Sequence, residues 1–293
     1  MSYTSKQFLV CDNSSLANFK NWAQAISTAF SSSGWTKTSD SGQVDWTTIA
    51  SVPTSGNFVY EIWQPADALQ TGSTAYYVKV KYGTGSGSPA GPRLQIQIGT
   101  GTDGSGNLTG LTTTNYEPGA TTTAGSGSAT YDCYFSGDTD RIGFMLWRSR
   151  GTLDTLAQMF SIERTKATDG TNSSDGVFIS SFCAWNNAGS STGSSGIIFG
   201  VASPNATGSR TYIAPTITNQ SGAFNNNVPI FPLFPEYGVI GNPLTGIAFA
   251  HSADTTEGTV IQTTLYGATR TFLVTKIHSV SSPGNSSQLL RYD

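Results

Sequence analysis

The sequence is short of charge. Only 11% of its 293 residues are Asp, Glu, Lys or Arg, against about 25% in an ordinary globular protein. The 15 basic residues, set against 18 acidic ones, are scattered apart from Arg141, Arg148 and Arg150. No Lys/Arg run of the kind that follows a phosphate backbone is present, so no nucleic-acid partner is expected. Cysteine is scarce too. Cys11, Cys133 and Cys183 lie far apart without a CxxC pair, a pattern that fits neither a disulfide framework nor a zinc site. Buried, reduced thiols are the expectation. Long apolar runs are missing. No stretch approaches the ~18 apolar residues of a membrane span, so membrane insertion is not expected. Residues 1–12 hold only Phe8-Leu9-Val10-Cys11 as an apolar run, too short for the core of a secretory leader. Synthesis in a cytoplasm, with no export signal, is expected.

Gly, Ser, Thr and Asn fill the space that charge leaves. Thr favours strands because it branches at Cβ. Gly, Ser and Asn favour turns, through positive φ or hydrogen bonds to their own backbone. A surface of hydroxyls and amides meets a neighbouring subunit without stripping water from ions. Composition therefore predicts a β-rich protein that acts by assembly.

One helix is expected. Ser14-Ser15 offer a cap, Leu16, Phe19, Trp22, Ala23, Ile26 and Phe30 follow at helical spacing, and Gly34 ends it. Strands are expected at Phe58–Trp63, Ala75–Tyr82 and Leu94–Ile98. In the second, Tyr76, Val78, Val80 and Tyr82 share one face; Tyr77, Lys79 and Lys81 share the other. The Gly/Ser/Pro segment 83–92 makes the pair a hairpin with a long tip. Further strands are expected at Thr130–Phe135, Arg141–Arg148, Ala157–Arg164, Val177–Trp185, Gly196–Val201, Leu244–Ala250, Thr259–Tyr266 and Arg270–Ile277. The fold class is mainly β: an antiparallel β-sandwich or barrel-like domain with one N-terminal amphipathic helix.

The expected organisation has three parts. Residues 1–203 form the helix and sandwich-like domain. Residues 204–242 form a proline-rich extended segment. Residues 243–293 form a C-terminal β-hairpin region packed on the first domain. In the middle part, Val228-Pro-Ile-Phe-Pro-Leu-Phe-Pro235 is excluded from a central strand, because proline donates no ladder hydrogen bond. It reads as an extended arm lying on its own domain or on a neighbour. Val228, Ile230, Phe231 and Phe234 are its candidate subunit contacts.

Tests for chemistry give little. Gly99-Thr-Gly101-Thr-Asp-Gly104 matches GxGxxG and follows a strand, but Ser105-Gly-Asn-Leu-Thr-Gly110 cannot open the helix a dinucleotide site needs. Asp103–Asn107 lacks the acidic pattern of a calcium loop. His251 and His278 lack metal-site spacing, and no GxSxG elbow accompanies His251 and Asp254. No cofactor, metal or catalytic residue is assigned, and the chain is not expected to be an enzyme. A glycan hydrolase would need two carboxyls about 5–9.5 Å apart; Asp132, Asp138, Asp140, Glu61 and Glu163 are the acids that would have to supply them. Trp63, Tyr76 and Tyr77 are candidates for stacking on sugar rings, which would make the chain a glycan-binding module.

Several passages carry a resemblance: the Met-Ser-Tyr start, the tip Gly83-Thr-Gly-Ser-Gly-Ser-Pro, Leu94-Gln-Ile-Gln-Ile-Gly-Thr-Gly, and Gly267-Ala-Thr-Arg-Thr-Phe-Leu-Val-Thr-Lys276. In these the chain resembles virion structural proteins of tailed bacteriophages. The resemblance implies a tail, baseplate or fibre component whose partners are copies of itself and other virion proteins. A capsid decoration protein, or an adhesin that binds a host-surface glycan, is the alternative.

Overall fold

The computed structural model describes residues 2–10, 13, 15–85, 92–110, 130–148, 157–184, 195–199, 212–213, 230–232, 234–235, 241–251, 258–277 and 286–293. The protein is mainly β; the described residues form antiparallel sheets that do not close into a barrel and one α-helix near the N-terminus. Of the two expected architectures, the sandwich is the one formed.

The helix, α1 (Leu16–Ser32), starts where its cap does. The Ser15 hydroxyl accepts from the Asn18 amide at 3.2 Å, an interaction worth about 1 kcal/mol. At its end Gly34 takes φ +90°, which a side chain disfavours. Phe19, Trp22, Ala23, Ala25, Ile26, Ala29 and Phe30 are buried.

The helix covers a four-stranded sheet in the order β2 (Thr36–Lys37), β3 (Phe58–Gln64), β4 (Tyr77–Thr84), β5 (Pro92–Gly99). In β4 the alternation is as expected: Val78, Val80 and Tyr82 are fully buried, and Tyr77, Lys79 and Lys81 are half-buried. The β4–β5 hairpin pairs Tyr77 with Gly99 and Thr84 with Pro92; most of its expected tip lies outside the described residues. The GxGxxG segment forms a small hairpin, β6 (Gly101–Thr102) with β7 (Leu108–Thr109). The Asp103 carboxylate closes it by accepting from the Ser105 and Asn107 amides at 2.8 and 3.0 Å.

A six-stranded sheet has the order β1, β8, β9, β10, β11, β12. These are β1 (Tyr3–Val10), β8 (Thr130–Asp138), β9 (Arg141–Arg148), β10 (Ala157–Lys166), β11 (Asn172–Ala184) and β12 (Ser195–Phe199). Its two faces differ because side chains alternate along a strand. One face sends Cys133, Phe135, Ile142, Phe144, Phe160, Ile162, Val177 and Ile179 into a single core with α1 and the four-stranded sheet. The opposite face carries Ser136, Arg141, Gly143, Ser161 and Glu163, and the C-terminal part of the chain covers it. Cys11 lies outside the described residues, as does the side chain of Cys183.

That covering part contains a five-stranded sheet in the order β14 (Ile230–Pro232), β16 (Ile247–His251), β19 (Ser286–Arg291), β18 (Ala268–Ile277), β17 (Val260–Leu265). Strand β13 (Tyr212–Ile213) pairs with β15 (Phe234–Pro235). The described parts of the proline-rich segment up to Pro235 are therefore paired in sheets. Ile230–Pro232 adds to Ala248–Ala250 as an edge strand, the position in a sheet that tolerates proline. Ile230 packs on Ala248, Ala250, Phe272, Val274 and Leu289 of its own chain. Of the two alternatives for the segment, Ile230 takes the contact within its own chain. Ile230–Pro232, in the expected proline-rich part, thus shares a sheet with Ile247–His251, in the expected C-terminal part.

Candidate functional site

In a chain this poor in charge, ionisable side chains inside the fold mark the unusual chemistry. Among the described residues, most of the buried ones fall into three groups.

The first is Glu61, on the helix-facing side of β3 and 1% exposed. Its Oε1 accepts from the Ser27 hydroxyl at 3.0 Å, Lys37 Nζ at 3.1 Å and Trp46 Nε1 at 2.9 Å. Its Oε2 accepts from the Tyr82 hydroxyl at 3.0 Å. Burial, then the Glu61 charge, pushes the Tyr82 phenol well up, so it stays a donor. Four donors on one carboxylate offset the cost of burying it.

The second is Arg164, fully buried. Its Nε and Nη2 bind the Asp67 carboxylate as a fork, at 2.5 and 3.1 Å, and Nη1 donates to the Thr74 carbonyl at 2.9 Å. The guanidinium lies 4.6 Å from the Tyr76 ring centre. This planar fork is particular to arginine.

The third lies between the six-stranded sheet and the C-terminal segment, and it forms a closed circuit. In the β8–β9 turn the Asp140 amide donates to Asp138 Oδ1 at 3.3 Å. Asn172 Nδ2 donates to Asp140 Oδ2 at 2.5 Å, and Lys166 Nζ donates to Asn172 Oδ1 at 2.7 Å. Lys166 pairs with Glu163 at 3.6 Å. Glu163 accepts from the Thr245 amide and hydroxyl at 3.0 and 2.8 Å and from the Gly246 amide at 2.6 Å. Arg291 Nη1 donates to Thr245 Oγ1 at 3.3 Å, and its Nη2 returns to Asp138 Oδ2 at 3.3 Å.

Arg141 sits inside this circuit and is 1% exposed. Its Nη2 donates to Ser136 Oγ at 2.8 Å, and its Nε lies 3.8 Å from Asp138 Oδ2. Burial, and after it the neighbouring Arg291, pushes the guanidinium down to about 10. The two aspartates are driven apart. Burial first, then the hydrogen bond with Asp140, pushes Asp138 up to about 6, against the pull of Arg141 and Arg291. Burial also raises Asp140, but the Asp138 carboxyl, Lys166, Asn172 and Arg141 outweigh it and hold Asp140 below the usual carboxylate range.

These arrangements bear on the acids considered as a hydrolase pair. Glu61 and Glu163 each have their oxygens taken by protein donors. Asp138 is likewise engaged by Arg291 and the Asp140 amide, and Asp140 by Asn172. Among the described residues no group of three or more His, Cys, Asp or Glu is placed to hold a metal ion. No described helix is long and apolar enough to cross a membrane.

The stacking candidates separate. Trp63 is 4% exposed and stacks on Phe30 at 5.4 Å; Tyr76 is 0% exposed and lies against Trp35 and Arg164. Neither ring presents a face to solvent, because Trp63, on β3, and Tyr76, just before β4, both point into the core shared with α1. Tyr77 is half-buried on the opposite face of β4. The set therefore does not form one platform. Of the subunit-contact candidates, Ile230 and Phe234 are half-buried; Val228 and the side chain of Phe231 lie outside the described residues.

Among the described residues, the exposed large apolar side chains are elsewhere. Phe8 is 68% exposed on β1, the edge strand of the six-stranded sheet, and Val260 is 53% exposed on β17, the edge strand of the C-terminal sheet. Lys6 lies 5.0 Å from the Phe8 ring and 5.2 Å from that of Tyr134. Neither edge was legible as a contact site, because β1 has few apolar residues and a polar outer face. No family model matches the chain, and neither does any curated protein or solved structure.

Proposed function

We propose that the chain is a structural subunit of a tailed-bacteriophage virion, of the tail or baseplate, that works by contacts with copies of itself and with other virion proteins. The observation that carries this reading is the pair of open sheet edges. Among the described residues, strand β1 ends one sheet and β17 ends another, and each displays an apolar side chain, Phe8 or Val260, to solvent. A free protein blunts such edges with charge, proline or a covering loop, since an unpaired strand invites another chain to add to it. Here the exposed neighbours in β1 are Thr4 and Lys6, and those in β17 are Gln262 and Thr264, a thin defence.

The internal charges support the same reading. The Glu61, Glu163 and Asp67 carboxylates are held by protein donors and brace one layer against the next, which suits a part that bears load. Symmetry would repeat one edge contact around a ring. The test is to locate the chain in purified particles by antibody labelling and imaging, alongside sedimentation of the isolated protein. A repeated position in a ring, with self-association in solution, is expected. Absence from particles, together with a monomer at every concentration, would overturn the reading. A position only at a distal tip would favour the adhesin instead.

A further inference from the structure

We propose that Lys166 and Asn172 react with each other once the chain has folded, forming an intramolecular amide between the lysine Nζ and the asparagine Cγ with release of ammonia, and that this bond locks the β10–β11 hairpin. The inference concerns a single chain and does not depend on the assembly reading.

The fold sets the two side chains opposite each other. Lys166 and Asn172 are register partners on β10 and β11, just past the irregularity that follows Arg164, and the Cβ atoms of such a pair stand about 5 Å apart. Lys166 is 5% exposed. Its Nζ lies 2.7 Å from Asn172 Oδ1. A C=O bond is about 1.23 Å long, so the amide carbon is within about 4 Å of the amine. The turn between them is fixed by its own hydrogen bonds. The Ala167 amide donates to the Thr171 carbonyl at 2.8 Å, and the Gly170 amide to the Ala167 carbonyl at 2.9 Å. Asp169 Oδ1 accepts from the Thr171 amide and hydroxyl at 3.0 and 2.7 Å. From the C-terminal part, Asn242 Nδ2 donates to the Lys166 carbonyl at 2.9 Å. Groups held in this way lose little freedom on reaching a transition state.

A carboxylate stands at each of the two nitrogens. Glu163 Oε2 is 3.6 Å from Lys166 Nζ, and the Thr245 and Gly246 amides hold that side chain in place. Asp140 Oδ2 accepts from Asn172 Nδ2 at 2.5 Å, which keeps the amide nitrogen turned away from the amine and the carbonyl turned toward it. A lysine beside an asparagine is ordinarily a hydrogen bond and nothing more. A buried lysine between a carboxylate and an amide carbonyl has a proton acceptor and an electrophile in reach at once.

The reaction balances without an oxidant or a reductant. Lys166 starts as an ammonium and passes one proton to Glu163 Oε2. The freed lone pair of Nζ forms a bond to Asn172 Cγ, and the carbonyl pair moves onto Oδ1. Nζ then gives a second proton to Nδ2. The Cγ–Nδ2 bond breaks, the carbonyl re-forms, and ammonia leaves. Ammonia takes the proton from Glu163 and departs as ammonium, which returns Glu163 to its charged form. Lys166 and Asn172 are left joined by an amide, and the charge of Lys166 is gone.

The experiment is mass spectrometry of tryptic peptides from the purified full-length protein, kept folded at neutral pH before digestion. No Lys or Arg lies between Lys166 and Arg210, so trypsin cuts an unmodified chain after Lys166. The amide blocks that cut. The expected product is one peptide, Thr165–Arg210, lighter than its sequence by one ammonia, with no backbone fragments released between Lys166 and Asn172. Complete cleavage after Lys166, with every peptide at its sequence mass, would overturn the proposal. A succinimide at Asn172 also loses ammonia, but it leaves Lys166 open to trypsin; an ammonia loss that persists in Lys166→Arg therefore overturns the proposal too. These readings on the wild-type protein decide the matter even where Asn172→Ala or Glu163→Gln fails to fold. Where they do fold, both should keep their sequence mass.

Discussion

Arg291, in the last strand, and Asp138, in the turn between β8 and β9, meet with Nη2 and Oδ2 3.3 Å apart. The contact ties the C-terminal end to the six-stranded sheet. Arg291→Gln removes it. At pH 7 Asp138 is ionised and its partner is lost; at pH 5 Asp138 is already protonated and has less to lose. Urea unfolding should show a cost of about 3 kcal/mol at pH 7, where a buried pair is broken, and a smaller one at pH 5.

Glu61→Gln places an amide against donors from Ser27, Lys37, Trp46 and Tyr82. At least one of them is left facing another donor. The expected loss is about 3 kcal/mol, read from the urea midpoint, with altered tryptophan fluorescence because Trp46 loses its acceptor.

Gly246→Ala tests the closeness of the sheet junction. The Gly246 amide donates to Glu163 at 2.6 Å, and a Cβ there would overlap Ser161 Oγ and Glu163 Oε1. Overpacking of this kind costs about 1–3 kcal/mol. A thermal melt should show the loss, and its absence would mean that the C-terminal segment can retreat from β10.

Phe8→Ser touches a side chain that is 68% exposed. Monomer stability should change by no more than about 0.5 kcal/mol, while self-association measured by sedimentation weakens. Lost stability with unchanged association would place Phe8 in the fold and not at an interface.

Sequence patterns were most readable where one residue type repeats on one face. The helix from Leu16, its serine cap and the alternation from Tyr76 to Tyr82 follow from spacing alone. Strand β1 was not anticipated, because Tyr3–Val10 mixes Thr, Ser, Lys and Gln with few apolar residues; it forms by pairing with β8 from Tyr3↔Gly137 to Val10↔Thr130. Strand β19 was missed for a similar reason, since Ser286–Arg291 offers only Leu289 and Leu290. The aromatic residues Trp63 and Tyr76 signalled a binding platform as readily as a core, and only their burial distinguishes the two. A clue to the buried circuit was present. Glu163 and Arg141 stand beside apolar strand residues in a chain with little charge to spare.

Local chemistry, then, was determined by the sequence itself: a β-rich chain, one capped helix, hairpins at Gly/Ser turns, and prolines kept from central strands. These depend on each residue and its near neighbours. The low surface charge that suggested an assembled protein is likewise a property of composition. Tertiary structure decided which edges stay open, where Ile230 packs, and that Asp138, Glu163 and Arg291 share one junction. Those outcomes depend on which strands pair across long separations, and no local pattern encodes a register between residues so far apart.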